Sequence, residues 1–477
     1  GLQNIKKCFT TTCLSHYIPV VLLSYMVEYR FFGLDPAAYH ADNLILHLLN
    51  TLLVFWCVFL LCGNGMVSFL TAMFFGIHPM HVESVAWVTE RKDMLYAFFL
   101  LLSMVAYIYF LEKKKRYFYA VSLSFFVLSL LSKSMAVTLP VVLLLLDYYK
   151  KGKLEWTDIK NKALFCAPAV IFGMGVMAAH GGHEHLGHRL SSGLMNGAIN
   201  MSNGALFYLA KLVFPVKLSF LYPYSGRMWS LYNPGYIYSP LVLVALAAAI
   251  FYLRRFSREL LYGSVFFLVV ISPVLQFRPF GLELPADRFV YVASIGLFFA
   301  VAALLTRGIK RWSKYARYFV VAALAVLIAV TARAAWNRCV VWKDSITLWS
   351  DVINKDPNIP RAYYSRALEY ESRKQYDMAL RDYSSEIALK NDDIQAYMER
   401  GIVYGKIGEF DRSIADFNEV LKIDPLYHRA LMNRSISYYN KKDYIDAEND
   451  VQRLLEAGYP VDKRFIMAIK NKGAEGK

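Results

Sequence analysis

Through its first 337 residues the chain alternates between apolar runs and short connections, and every second connection is basic. This pattern constrains the fold more tightly than any motif in it. Runs of about 15–20 apolar residues match a hydrocarbon core of ~30 Å. They fall near 43–61, 66–80, 94–111, 117–132, 135–149, 163–179, 239–253, 260–276, 289–306 and 317–335. The pattern predicts an all-α polytopic membrane helix bundle with about ten spans.

The basic connections are Lys113, Lys114, Lys115 and Arg116; Lys150, Lys151, Lys153, Lys160 and Lys162; Arg254, Arg255 and Arg258; and Arg307, Lys310, Arg311, Lys314 and Arg317. By the positive-inside rule they mark the cytoplasmic face. The opposite, outer face then carries the longer connections 1–42, 81–93, 180–238 and 277–288, and the chain after 335 emerges there. Residues 204–214, which contain Lys211 and precede Pro215, are expected at the outer interface, as is a helix within 14–32.

Composition agrees. Hydrophobic residues make up 57% of the chain, above the ~50% of ordinary soluble domains. Of the 53 basic and 37 acidic residues, 23 of each lie in 338–477, which leaves 30 and 14 in the apolar part. The net charge of +16 therefore belongs to membrane orientation, and no nucleic-acid partner is implied. The six cysteines form no CxxC pair, so neither a zinc framework nor a redox motif is indicated.

Polar residues concentrate on the outer side. His40, Asn43, His47 and Asn50 follow at steps of 3, 4 and 3, which places them on one helical face. They suit either hydrogen bonds between helices or the wall of a substrate cavity. The segment HPMHVESVAWVTERKDM carries His78, His81, Glu83, Glu90, Arg91, Lys92 and Asp93, flanked by apolar runs. It reads as the rim of a polar active site; a solvated loop with local ion pairs is the plainer reading. As a metal site, His78-x-x-His81 with Glu83 is incomplete. No cofactor is called for, and a divalent metal has no clear support. Lys133 in SLLSKSMA and Asp287-Arg288 in LPADRFVYV fall on the same side. HGGHEHLGHR, with His183, His185 and His188, reads as a polar outer loop.

The remainder, 338–477, shows a 34-residue period. Ala379, Ser413 and Ala447 recur at that step, as do Tyr370, Tyr404 and Tyr438, and Tyr383, Phe417 and Val451. This is the pattern of a tetratricopeptide-repeat α-solenoid, with repeats at 360–393, 394–427 and 428–461 and a half repeat before them. The expected division is a membrane domain at 1–337 and a repeat domain at 338–477.

The runs YRFFGLDPAAYHADNLILHLLNTLLVFW, FGIHPMHVESVAWVTERKDMLY, LSLLSKSMAVTLPVVLLLLDYY, KLSFLYPY and LPADRFVYVASIG, followed by such repeats, resemble the TMTC-type family. The wording is nearer to its bacterial relatives. The resemblance covers nearly the whole chain. It implies a C-type glycosyltransferase fold and transfer of a sugar, typically mannose, from a polyprenyl phosphate to Ser or Thr of an acceptor polypeptide, which the repeats would hold. It implies an integral protein of the bacterial inner membrane with periplasmic repeats, or of the endoplasmic reticulum with lumenal repeats. Arg91, Lys133 and Arg288 become candidates for the lipid phosphate. Glu83, Glu90 and Asp93 are candidates for acceptor or sugar contacts, Asp287 for substrate binding, and His40, Asn43, His47, His78 and His81 for lining the pocket.

Enzymes of this fold usually keep the catalytic acid in a first outer loop after a first span. Upstream of His16 there is neither an apolar span nor an acidic residue, and Glu28 is the first carboxylate. The expectation is a chain that starts inside a longer protein whose catalytic acid lies outside it, or, if it is complete, an inactive one; Glu83, Glu90 and Asp93 are the catalytic candidates within it. The rival class is a membrane-anchored repeat scaffold without catalysis.

Overall fold

The computed structural model describes every residue except 1, 12–16, 182–193, 223–236, 256, 276–284 and 476–477. The chain divides into two compact units, Gly1–Trp342 and Lys343–Lys477.

In the first unit the helices are α1 (Leu2–Thr10), α2 (Pro19–Phe32), α3 (Pro36–Cys62), α4 (Gly65–Ile77), α5 (Val82–Ala86), α6 (Arg91–Lys113), α7 (Arg116–Leu130), α8 (Leu139–Lys151), α9 (Trp156–Lys160), α10 (Ala163–Gly181), α11 (Leu194–Val213), α12 (Ser239–Leu253), α13 (Arg258–Ile271), α14 (Ser294–Arg311) and α15 (Lys314–Val341). Each of the ten apolar runs is largely helical. Among the described residues three stretches are long and apolar enough to cross a membrane: Pro36–Cys62, Val88–Lys113 and Lys314–Val341. A fourth arises if Gly65–Ile77 and Pro79–Ala86, bent by 53°, are one span. By length and composition alone, three or four stretches among the described residues qualify as spans, and other apolar runs, such as Arg116–Leu130 and Ser239–Leu253, give shorter apolar helices.

The bend has a local cause. Pro79 has no N–H to donate and biases His78 towards extended backbone; His78 has ψ 129° and ends α4. The chain makes a short turn of helix at 79–81, then α5, then extended Trp87 and a second turn at 88–90 before α6 starts at Arg91. This broken stretch brings three acidic side chains to the beginning of α6.

The core lies where α3 packs on α4 and α6, α14 on α4, and α13 on α8 and α14. Phe75, Met94, Leu100, Phe126, Val142, Phe266 and Phe299 fill it. The tightest contact joins α13 and α14. A Cβ on Gly263 would sit 2.0 Å from the Gly296 carbonyl oxygen, so only glycine permits that approach. Lys162, assigned by sequence to a basic connection, is instead buried against Asp147 and the Tyr107 hydroxyl.

The second unit is a stack of helix pairs. A single helix α16 (Ser345–Lys355) precedes α17 (Pro360–Ser372) with α18 (Tyr376–Leu389), α19 (Ile394–Lys406) with α20 (Phe410–Ile423), α21 (His428–Lys441) with α22 (Tyr444–Glu456), and α23 (Lys463–Glu475). Ala379, Ser413 and Ala447 are fully buried, where only a small side chain lets two helices meet.

A second set of 34-residue recurrences is ionic. Arg366, Arg400 and Arg434 each grip an aspartate sixteen residues on with both oxygens, at 2.7 and 2.7 Å to Asp382, 2.9 and 2.7 Å to Asp416, and 2.8 and 2.6 Å to Asp450. The third nitrogen of each donates sixteen residues back, to Ser350, Ser384 and Asn418. One arginine therefore ties three helices. Removing one member of such a half-buried pair strands the other charge, at a cost of about 3 kcal/mol. Arg400→Ala is expected to lower the unfolding free energy of the repeat unit by about that amount, and Arg400→Lys by less, read by denaturant titration.

Candidate functional site

The densest polar cluster of the first unit forms where the broken stretch 79–90, the start of α6, the turn before α8 and the turn before α14 converge. Arg288 Nη1 donates to Glu83 Oε1 at 2.6 Å, and its Nε lies 3.5 Å from Glu90 Oε1. Lys92 Nζ is 3.0 Å from the same Glu90 oxygen. Lys133 pairs with Asp93, which also accepts a 3.4 Å bond from Ser84. Asp287 accepts from the Tyr222 hydroxyl at 2.7 Å. Four carboxylates thus lie among three cations.

Their depths differ. The side chains of Glu83, Glu90 and Asp93 are 1–2% exposed, whereas those of Lys92, Lys133 and Arg288 are 11–18% exposed. The cations form the accessible rim and the acids the floor. Glu83 Oε2 and Glu90 Oε2 are buried with no hydrogen-bond partner among the described residues. Aromatic faces confine the cations: Arg288 sits 5.3 Å from the Trp87 ring and 5.0 Å from that of Phe289, and Lys133 sits 5.4 Å from Phe289.

Arg91 belongs to a different knot. Its Nε donates to Asn43 Oδ1 at 2.9 Å, its Nη2 to the Tyr39 carbonyl at 2.9 Å, and Nη1 and Nη2 grip Glu28. The Tyr25 ring covers it at 4.6 Å. It is fully buried and joins α2, α3 and α6. Glu28, read from sequence as the first carboxylate of an interfacial helix, is its buried counter-ion.

The histidines form a third group. His47 binds the Tyr291 hydroxyl at 2.8 Å and the Gly76 carbonyl at 3.0 Å. His81 binds the Phe75 carbonyl at 2.7 Å and Ser294 Oγ at 3.1 Å. His78 Nε2 meets the Leu212 carbonyl at 3.1 Å. All three are buried with Phe75, Tyr291 and Phe298 around them. Asn43, His47 and Asn50 share the buried face of α3, and Asn50 donates to the Met94 carbonyl at 3.0 Å; His40 is exposed. Among the described residues no three His, Cys, Asp or Glu side chains converge to hold a metal ion. His16 and residues 182–189 of HGGHEHLGHR lie outside the described residues.

Sequence reasoning missed Glu28, Tyr222, Tyr291 and Ser294 as partners. Each meets its group from 63 or more residues away, so no local spacing announces it.

In the repeat unit, Glu386 is buried and its Oε2 has no hydrogen-bond partner among the described residues. Burial pushes its carboxyl up to about 8, with Asp393 adding and Lys390 opposing. Burial also pushes up Glu399, against the pull of Arg429, and the Tyr364 hydroxyl, which feels both acids. The three mark an acidic patch between α17, α18 and α19.

These features define a class: an all-α chain with three or four candidate membrane spans followed by a tetratricopeptide-type repeat region. Comparison with known proteins narrows it. A tetratricopeptide-repeat family model matches residues 394–425. The human protein O-mannosyl-transferase TMTC4 is 25% identical over 445 residues, covering 79% of this chain and 58% of its own length. A Caenorhabditis elegans protein O-mannosyl-transferase is 22% identical over 369 residues, 73% of this chain and 50% of its own. Xenopus laevis tmtc2 is 30% identical over 190 residues, 35% of this chain and 22% of its own. The chain is a homologue of the TMTC protein O-mannosyl-transferases that carries tetratricopeptide repeats. Its match spans 22–58% of these relatives' lengths. The crystal structure of MamA aligns with 24% of this chain and 67% of its own at 24% identity and a TM-score of 0.23, too low to carry an argument.

Two outcomes follow from the geometry. Arg288→Ala strands Glu83 in the floor and is expected to destabilise the first unit by about 3–5 kcal/mol, with part recovered in the Glu83→Gln double variant; thermal unfolding in detergent reads both. For Glu386, the unfolded carboxyl titrates near 4.3. Between that pH and about 8 the folded chain holds a proton that the unfolded chain has released, so this group's contribution weakens as pH rises through the window. Glu386→Gln removes the charge and is expected to stabilise the repeat unit by roughly 1–3 kcal/mol at pH 8 and hardly at all near pH 4, read by melting at both pH values.

Proposed function

We propose that the first unit is a C-type glycosyltransferase-like bundle that uses the Lys92, Lys133 and Arg288 rim to hold the phosphate of a polyprenyl-phosphate sugar, mannose-like in kind. The single observation that carries this reading is the layering: three partly exposed cations over a floor of buried carboxylates, two of which keep an oxygen without a hydrogen bond among the described residues. A rim of that charge suits a lipid phosphate approached from the bilayer.

The chemistry is substitution at the anomeric carbon. The acceptor Ser or Thr oxygen forms a bond to C1 while the bond from C1 to the phosphate oxygen breaks, and the electron pair leaves with the lipid phosphate. The acceptor proton goes to a carboxylate; Glu83, Glu90 and Asp93 are the candidates, and Glu83 and Glu90 each have an oxygen without a hydrogen-bond partner among the described residues. The cations stabilise the departing phosphate. Asp287, steadied by Tyr222, would contact the sugar. Arg91 in this reading keeps Glu28 as its partner and holds α2, α3 and α6 in place rather than meeting phosphate. His47, His78 and His81 brace α3, α4 and α14 from behind.

The repeats would hold the acceptor polypeptide and raise its concentration near the site. The ten apolar helices would present site and repeats on one side of the membrane, periplasmic or lumenal, with the basic connections opposite.

The test is binding of a polyprenyl-phosphate mannose to the whole chain in detergent. Lys92→Gln and Lys133→Gln are each expected to weaken it roughly tenfold, the loss of one charge-assisted contact. Arg288→Lys, which keeps the charge, should weaken it less than Arg288→Ala. Binding that is indifferent to all of these would sink the reading. Loss of binding when residues 343–477 are removed would favour the scaffold alternative.

A further inference from the structure

A cleft lies at the other end of the same helices. Asn43 beside the Arg91 knot and Leu61 beside this cleft are eighteen residues apart on α3, about 27 Å along the axis. The cleft has a volume of about 650 Å³ and is walled by Lys150, Arg254, Arg255, Arg258 and Arg307, with Glu259 as its one lining carboxylate. A smaller space of about 230 Å³ shares Tyr149 and the first three arginines and reaches Tyr262. Charge here is unbalanced, unlike that of the rim and floor described above.

Glu259 is already engaged. It takes Arg307 at 2.5 Å, Ser257 Oγ at 3.1 Å and the Tyr149 hydroxyl at 3.4 Å. Lys150 meets the Leu60 carbonyl at 2.5 Å and Glu112 at 3.1 Å. Arg254, Arg255 and Arg258 are exposed. The cleft also holds the start of α13, where the helix dipole favours an anion. Independently of the arginines, Tyr262 is 5% exposed and its hydroxyl is buried with no hydrogen-bond partner among the described residues. Tyr262 lines the smaller of the two spaces, beside the same three arginines, and a spare donor there suits an acceptor-rich ligand.

We propose that this cleft binds a phosphate-bearing anion, the headgroup of an anionic membrane lipid. The source is argued from its surroundings. Arg254 and Arg255 lie over Phe251 and Tyr252 at 3.5 and 3.9 Å, and both rings are more than half exposed at the end of an apolar helix. Cations above exposed aromatics at a helix end are the signature of a bilayer interface, and basic clefts between helices on that side recruit anionic lipids. The proposal stands apart from the transferase reading, since it uses none of the rim or floor residues.

The experiment is native mass spectrometry of the whole chain in neutral detergent, counting lipids retained after addition of phosphatidylglycerol or phosphatidylcholine. Phosphatidylglycerol is expected to stay bound and phosphatidylcholine to leave. The triple variant Arg254→Gln, Arg255→Gln, Arg258→Gln is expected to weaken retention more than tenfold, and the triple Arg→Lys variant to keep most of it. Tyr262→Phe, which removes only the hydroxyl, should weaken it severalfold and decides the matter if the triple Gln variant does not fold. A parallel titration with inorganic phosphate separates the sources: retention that persists supports a headgroup, and full displacement overturns it in favour of a soluble phosphate ligand. Equal retention of the two lipids, or of phosphatidylglycerol by the Gln and Tyr262→Phe variants, overturns the proposal.

Discussion

A charge inside an apolar bundle persists only where another charge or a dense set of hydrogen bonds compensates it, and the first unit is organised around that requirement. The chain breaks at His78-Pro79 and again at Trp87, and those breaks deliver Glu83, Glu90 and Asp93 to the start of α6. Three cations from elsewhere in the chain or from the next turn meet them. Arg91 and Lys92 are neighbours in sequence, yet roughly 100° of helical rotation sends them to different knots. One closes α2 onto α3 and α6; the other joins the rim. The polar layer is therefore a fastening between helices.

The two ends of the bundle differ in kind. At the start of α6 and α14 the opposite charges interleave, with acids below and bases above. At the far ends of α3, α8 and α14 positive charge exceeds negative, and the nearby Tyr262 hydroxyl has no hydrogen-bond partner among the described residues. The first arrangement suits a reaction in which charge moves. The second suits a ligand that stays.

The helical character of the apolar runs and the 34-residue repeat were legible in the sequence, because both rest on periodicity. Span length was less legible: several apolar runs, such as those at 116–130 and 239–253, form helices shorter than the three or four described stretches that meet a span's length. In the candidate site, the residue types were legible and the pairings were not. His47 and Tyr291 are 244 positions apart, and Arg288 and Glu83 are 205 apart. Lys162 looked like an orienting charge because it follows other lysines, but its partner Asp147 sits fifteen residues back, across a turn. The Arg and Asp recurrences of the repeats were visible at the same period as the small residues, and only the paired geometry reveals what they do.

Those recurrent arginines give the repeat unit its mechanical character. Each one fastens a helix to its own partner and to the helix before, and Arg366 does so even to the lone α16 through Ser350. Stiffness is thus distributed joint by joint rather than held in one centre. In an array built this way, losing one joint loosens the helices on either side of it and leaves the remaining contacts in place.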